Sequence, residues 1–180
     1  MPKPTNTTHS GDEYHLNPGE FYFSTAQDRI HTLLGSCVAI TLWHPRLRVG
    51  GMCHFLLPRC PSMAHGARDI AISGGRYSDS AMALFEREAQ KLGTPLSDYQ
   101  AKIFGGSNML AINTLTHDDS IGTKNTEAAL KHLAEHNIPL LVAHVGETGH
   151  RRIVFDVANG DVWVKHEPLQ STIENGKGDK

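Results

Sequence analysis

Short apolar runs broken by turn residues fill most of the chain, and their period is mainly that of β-strands. Residues 20–25 alternate, with Phe21 and Phe23 on one face and Tyr22 on the other. Residues 29–34 form a second run, stopped by Gly35-Ser36. The segments 38–43 and 49–57 are strongly β-prone, and the short link at 44–48 predicts that they form a hairpin. Two stretches change to a helical period. Across 78–92 the residues Ala81, Met82, Phe85, Ala89 and Leu92 share a face, with Ser78 or Asp79 at the start and Gly93 at the C-terminal cap. Across 123–136, Ala129, Leu130, Leu133 and Ala134 point inward, and Lys131 and Glu135 point outward. A further apolar strand spans 140–145. The runs 151–157 and 161–166 meet around Asn159-Gly160, which predicts a tight hairpin with both turn positions at positive φ. Strands outnumber helices and several neighbours read as antiparallel, so the pattern predicts an α+β sandwich rather than a doubly wound parallel sheet.

Residues 1–18 are polar, contain three prolines and read as a loose arm ending at the Pro18-Gly19 turn. Residues 171–180 read as a flexible tail. No linker divides 19–170, so the expectation is one domain with two main helices. With 180 residues, 39% hydrophobic and 20% charged, such a domain can bury a real core. A net charge of -2 gives no field suited to nucleic acid or an anionic membrane. The opening residues carry no signal-peptide pattern, and no apolar stretch nears the roughly 18 residues that span a bilayer. Three cysteines, an odd number without C-x-x-C spacing, favour a reducing cytoplasm over a disulfide framework.

The chemistry centres on Cys37. It follows a strand and sits behind Gly35-Ser36, where a sharp turn exposes the sulfur and leaves backbone N–H groups of Gly35 and Ser36 near a developing oxyanion. A small buried cysteine opening a strand is the plainer alternative. His54 on the returning strand favours the nucleophile. It and Cys37 lie about equally far from the turn centre near Arg46, so the hairpin should set them opposite one another, as in thiol hydrolases. Cys53, His54, Cys60 and His65 also invite a metal reading. Adjacent Cys53 and His54, however, point to opposite faces of a strand, and the spacings fit no usual zinc motif. No metal and no cofactor is therefore expected. Gly105-Gly106-Ser107 lacks Walker or Rossmann spacing and reads as a tight turn, while Asn108 and Asn125 read as turn or cap residues able at most to orient an amide.

Several motifs occur together: Leu34-Gly35-Ser36-Cys37, His44-Pro45, Val49-Gly50-Gly51-Met52, His54 before Leu57-Pro58, Lys102-Ile103-Phe104-Gly105-Gly106-Ser107, and Ile121-Gly122-Thr123-Lys124-Asn125. This region resembles the CheD family of chemoreceptor glutamine deamidases over about residues 18–166. The resemblance implies stacked layers in an α/β/β sandwich and a Cys-His-Thr constellation. Cys37 and His54 take the first two roles. Family members with Thr-Leu-Gly-Leu-Gly-Ser-Cys carry the threonine six residues before the cysteine. Here that position is His31, and Thr32 lies five before, so Thr32 is assigned through a shortened turn. The implied reaction is hydrolysis of receptor glutamine amides to glutamate. The implied partners are methyl-accepting chemotaxis receptors and a CheC-type chemotaxis phosphatase. A non-catalytic adaptor docking on the same partners is the alternative.

Overall fold

The computed structural model describes residues 10–61, 74–109 and 120–169. Nine strands and two α-helices are seen there in the order β1 (Glu13–His15), β2 (Phe21–Ser24), β3 (Arg29–Leu34), β4 (Val38–His44), β5 (Val49–Phe55), α1 (Ser78–Lys91), β6 (Gln100–Gly105), α2 (Ile121–Glu135), β7 (Leu140–Val145), β8 (His150–Asp156) and β9 (Val162–Glu167), with a 3-10 turn at Leu96–Asp98. They make a five-stranded sheet, β2-β5-β4-β6-β7, and a four-stranded sheet, β1-β3-β8-β9. Most pairs are antiparallel; β1 with β3 and β6 with β7 are parallel. The α+β sandwich expected from the pattern is the architecture observed.

Strand alternation creates two buried layers. Along β4, Val38, Ile40 and Leu42 face the helices and join Ala81, Met82, Phe85, Ala129 and Leu133 in one cluster. Ala39, between them, faces the other sheet and joins Ile30, Leu34, Met52, Phe104, Ile153 and Phe155. The helices are amphipathic covers on the outer side of the five-stranded sheet. Gly93, at φ 66°, closes the first helix at its expected cap. The second starts two residues earlier than the pattern indicates, because the Ser120 side chain accepts the Thr123 N–H at 3.2 Å and caps it there.

Three expectations are corrected. The arm drawn over 1–18 contains β1, which pairs with β3 through Glu13, Tyr14 and His15; residues 1–9 lie outside the described set. The turn at Asn159-Gly160 is longer than a two-residue hairpin. The Asp156 N–H donates to the Asp161 carbonyl at 2.9 Å, and only Gly160 has positive φ. Asn159 instead accepts the Asp161 N–H on its side chain at 2.9 Å. Segment 100–105, read only as part of a motif, is a central strand.

The Gly50-Gly51 pair has a steric cause. A Cβ on Gly50 would stand 2.3 Å from the Leu42 carbonyl oxygen, and one on Gly51 would stand 2.6 Å from that of Tyr22. The strand carrying His54 is thus clamped between β2 and β4. Gly51→Ala should lower unfolding free energy by about 1–3 kcal/mol through overpacking, measured by urea denaturation. An unchanged midpoint would mean that the three strands separate freely.

Candidate active site

His54 lies in the last turn of alternation on β5. Cys53 enters the layer beneath the helices, while His54 enters the layer between the sheets and is about 1% exposed. Directly across the second layer stands Thr32 of β3, whose inward neighbours Ile30 and Leu34 are also buried. The Thr32 hydroxyl lies 2.7 Å from His54 Nδ1 and 2.9 Å from the Leu16 carbonyl oxygen. A carbonyl can only accept, so the single hydroxyl proton goes to Leu16 and the oxygen accepts from Nδ1–H. That fixes the tautomer. Nε2 carries the lone pair, is buried and has no hydrogen-bond partner among the described residues.

Burial pushes the His54 imidazole down to about 4, with Glu20 opposing the shift weakly. Burial also pushes the Cys37 thiol up, offset in part by its own backbone N–H. Between those limits the resting pair is a neutral imidazole and a neutral thiol.

Cys37 sits in the bend at 35–37, half-buried against the inter-sheet cluster, one residue before β4 begins. The register of the hairpin differs from the expected one. His54 faces Ala39 directly, so Cys37, two residues earlier on the same side, is its diagonal neighbour. The last rung, His44 with Val49, puts the turn centre beyond Arg46, which moves every pair along. Diagonal neighbours about 7–8 Å apart remain within reach of a ring or a long side chain. The bend itself is held from below: Ser107 N–H donates to the Gly35 carbonyl at 2.9 Å, and Gly106 N–H donates to that of Cys37 at 2.8 Å. Gly105 and Gly106 have φ of 103° and 63°, and a Cβ on Gly105 would lie 2.2 Å from the Cys37 carbonyl oxygen. Arg151, fully buried, braces this segment by donating to Ser107 Oγ at 2.6 Å.

The remaining candidates fall elsewhere. His31 points away from His54, bonds Glu13 and stacks on His15 at 4.5 Å. Cys53 and Cys60 are buried, and Cys53 faces a different layer from His54, which separates these two candidate donors; His65 is outside the described residues. Ser107 belongs to the turn expected at 105–107, whereas Arg151 carries no mark in the sequence, since nothing in an Arg-Arg pair says which arginine is buried.

Comparisons with known proteins lead from this two-sheet sandwich to one family of chemoreceptor glutamine deamidases. The CheD model, described as chemotactic sensory transduction, matches residues 56–166. A probable chemoreceptor glutamine deamidase CheD of Pseudomonas savastanoi pv. phaseolicola is 43% identical over 96% of this chain and 94% of its own. A probable chemoreceptor glutamine deamidase, CheD 3 of Dechloromonas aromatica, is 47% identical over 92% of this chain and 95% of its own. The chain belongs to the CheD family. No helix among its described residues is long and apolar enough to cross a membrane.

His54 links this geometry to acid stability. The open chain takes up a proton near pH 6.5, whereas the folded chain resists until about 4. Between those values the unfolded state binds more protons, so stability falls as pH drops through the window; above it the contribution is constant. Urea midpoints of wild type and His54→Gln, compared from pH 7.5 to 4, should converge or cross as acid removes the wild-type advantage. A difference independent of pH would show that His54 titrates normally.

Proposed function

We propose that the protein hydrolyses glutamine side-chain amides on methyl-accepting chemotaxis receptors, giving glutamate and ammonia, with Cys37 as nucleophile and His54 as base. The observation that supports this most directly is the Thr32 hydroxyl on Nδ1, which leaves the His54 lone pair on Nε2, unpartnered among the described residues, on a strand whose diagonal neighbour is Cys37. In the first step Nε2 takes the thiol proton as sulfur bonds to the carboxamide carbon. A charged thiolate need not be stored beforehand, in keeping with the neutral resting pair. The tetrahedral oxygen is held by N–H groups of the bend around Gly35 and Ser36. The Gly35 carbonyl accepts from Ser107, and a trans peptide points the Ser36 N–H the opposite way, away from segment 105–107. His54 then protonates the departing ammonia. Water, deprotonated by the same nitrogen, attacks the thioester, releasing the carboxylate and restoring the thiol.

No cofactor enters this sequence. Thr32 acts as the orienting member, the part that a carboxylate plays in other triads. The product carboxylate is a group a receptor methyltransferase can esterify, which makes the reaction an adjustment of chemotactic adaptation. We place the reaction in the cytoplasm, where three free thiols persist. The CheC-type phosphatase remains a proposed second partner, on the resemblance alone.

Purified receptor fragment should gain about 1 Da per converted glutamine on intact-mass analysis, as exchange of an amide for an acid requires. Cys37→Ala should abolish the gain. His54→Ala should reduce its rate by about 10²–10⁴-fold, the usual scale for lost acid–base help. Thr32→Ala should cost at least about tenfold, Thr32→Ser less, and His31→Ala little. Receptor binding without any mass change would support the adaptor reading instead.

A further inference from the structure

Asn125 does not cap its helix, since Ser120 does that. It lies on the second turn of α2 and is fully buried. Its Nδ2 donates twice, to the Ser36 carbonyl at 3.1 Å and to the Leu56 carbonyl at 2.8 Å. Ser36 adjoins Cys37 in the bend, and Leu56 lies two residues beyond His54. One side-chain amide therefore spans the two chain segments that carry the thiol and the imidazole. Its orientation follows from chemistry: exchanging oxygen and nitrogen would set the amide oxygen against two other acceptors. The remaining oxygen, Oδ1, is buried without a hydrogen-bond partner among the described residues, an unfavourable condition accepted by a side chain whose donors are needed.

The helix is seated so that this reach is possible. A Cβ on Gly122 would lie 2.4 Å from the Gly106 carbonyl oxygen and 2.7 Å from that of Ser107. A Cβ on Gly106 would lie 2.2 Å from Thr126 Oγ1. Glycine at both places lets the start of α2 close directly onto segment 105–107, and Asn125, three residues after Gly122, falls on the same helix face. With Asn125 included, the carbonyls of Gly35, Ser36 and Cys37 are each tied down by a donor.

We propose that Asn125 is the positioning residue of the site, a clamp that fixes the separation of Cys37 from His54 and aims the bend's N–H groups. This rests on the reading of Cys37 as nucleophile and His54 as base. Asn125 touches neither reacting atom in this role; it acts through the two backbones.

The test compares Asn125→Ala and Asn125→Asp with wild type, using receptor-fragment deamidation by intact mass and alkylation of Cys37 by iodoacetamide. Asn125→Ala should lower kcat by about 10–100-fold with KM changed less than about twofold, because the substrate surface is intact while the reacting groups are misplaced. Its Cys37 alkylation below pH 8 should slow towards that of an unassisted, buried thiol. Asn125→Asp keeps the shape but sets a carboxylate against two carbonyl oxygens; protonation restores one donor. Its kcat should rise relative to wild type as pH falls from 8 to 5, a change that simple loss of packing does not produce. Leu133→Ala removes core packing from the same helix away from the bend and serves as the stability control, with kcat near wild type below its melting temperature. If a folded Asn125→Ala turns over and alkylates normally while Cys37→Ala is inactive, the clamp is overturned and the nucleophile assignment stands. Should Asn125→Ala not fold, an Asn125→Asp profile parallel to wild type overturns it equally. If Cys37→Ala retains turnover, the site assignment itself fails and the clamp falls with it.

Discussion

The Thr32 hydroxyl has one proton, and the Leu16 carbonyl accepts it; what is left for His54 is an oxygen that can only accept. That single bond joins a strand of one sheet to a strand of the other through the middle of their shared core. The apolar side chains around it, Ile30, Met52, Phe104, Ile153 and Phe155, drive the sheets together but tolerate small displacements. The hydrogen bond does not. Leaving Nδ1–H unpaired in this layer would cost about 1–3 kcal/mol, so the stacking that satisfies the imidazole is also the stacking that fixes its orientation. Fold and site are therefore adjusted by the same contact.

Burial has a second consequence. The inter-sheet layer is apolar, and burial in it favours the neutral forms of both His54 and the Cys37 thiol. Forming a permanent thiolate–imidazolium pair here would place two charges in that layer with few compensating groups. In the proposed reaction charge appears only as the carboxamide arrives and the oxyanion is met by backbone donors. Arg151, a buried cation, is engaged with Ser107 and His144 and braces the segment beneath the bend. It contributes rigidity to that segment, while burial lowers the guanidinium's own proton affinity.

Helices and the β4–β5 hairpin were legible in the sequence because each signal was local: a long apolar period with caps, or two β-prone runs around a short link. The hairpin sets His54 opposite Ala39 and not Cys37, since one residue at the turn decides the register. Strand β6 escaped because QAKIFG has no clear alternation. Its residues are covered from both layers, Ala101 and Ile103 by the helices and Phe104 by the opposite sheet. Strand β1 escaped for the opposite reason. It has three residues, no apolar pattern, and exists through pairing with β3 and the Asp12 N–H bond to Asp28. Asn125 was visible only as an amide near a helix start. Its partners are 89 and 69 residues away, and no local pattern reports a contact of that range.

The shortened spacing between Thr32 and Cys37 shows which constraint dominates when two compete. Holding the six-residue interval would require His31 to face inward. Because strand faces alternate, Leu33 would turn inward as well, and Ile30 and Leu34 would turn to solvent. Those two residues are fully buried now, and their exposure would forfeit about 1.5–3 kcal/mol each. A backbone bend is easier to shorten than a strand is to flip. A change of interval is accommodated most easily at 35–37, where Gly35 is free of a side chain and the carbonyls bond outside the sheets. Thr32 faces His54 because the hydrophobic alternation around it decides the register of its strand.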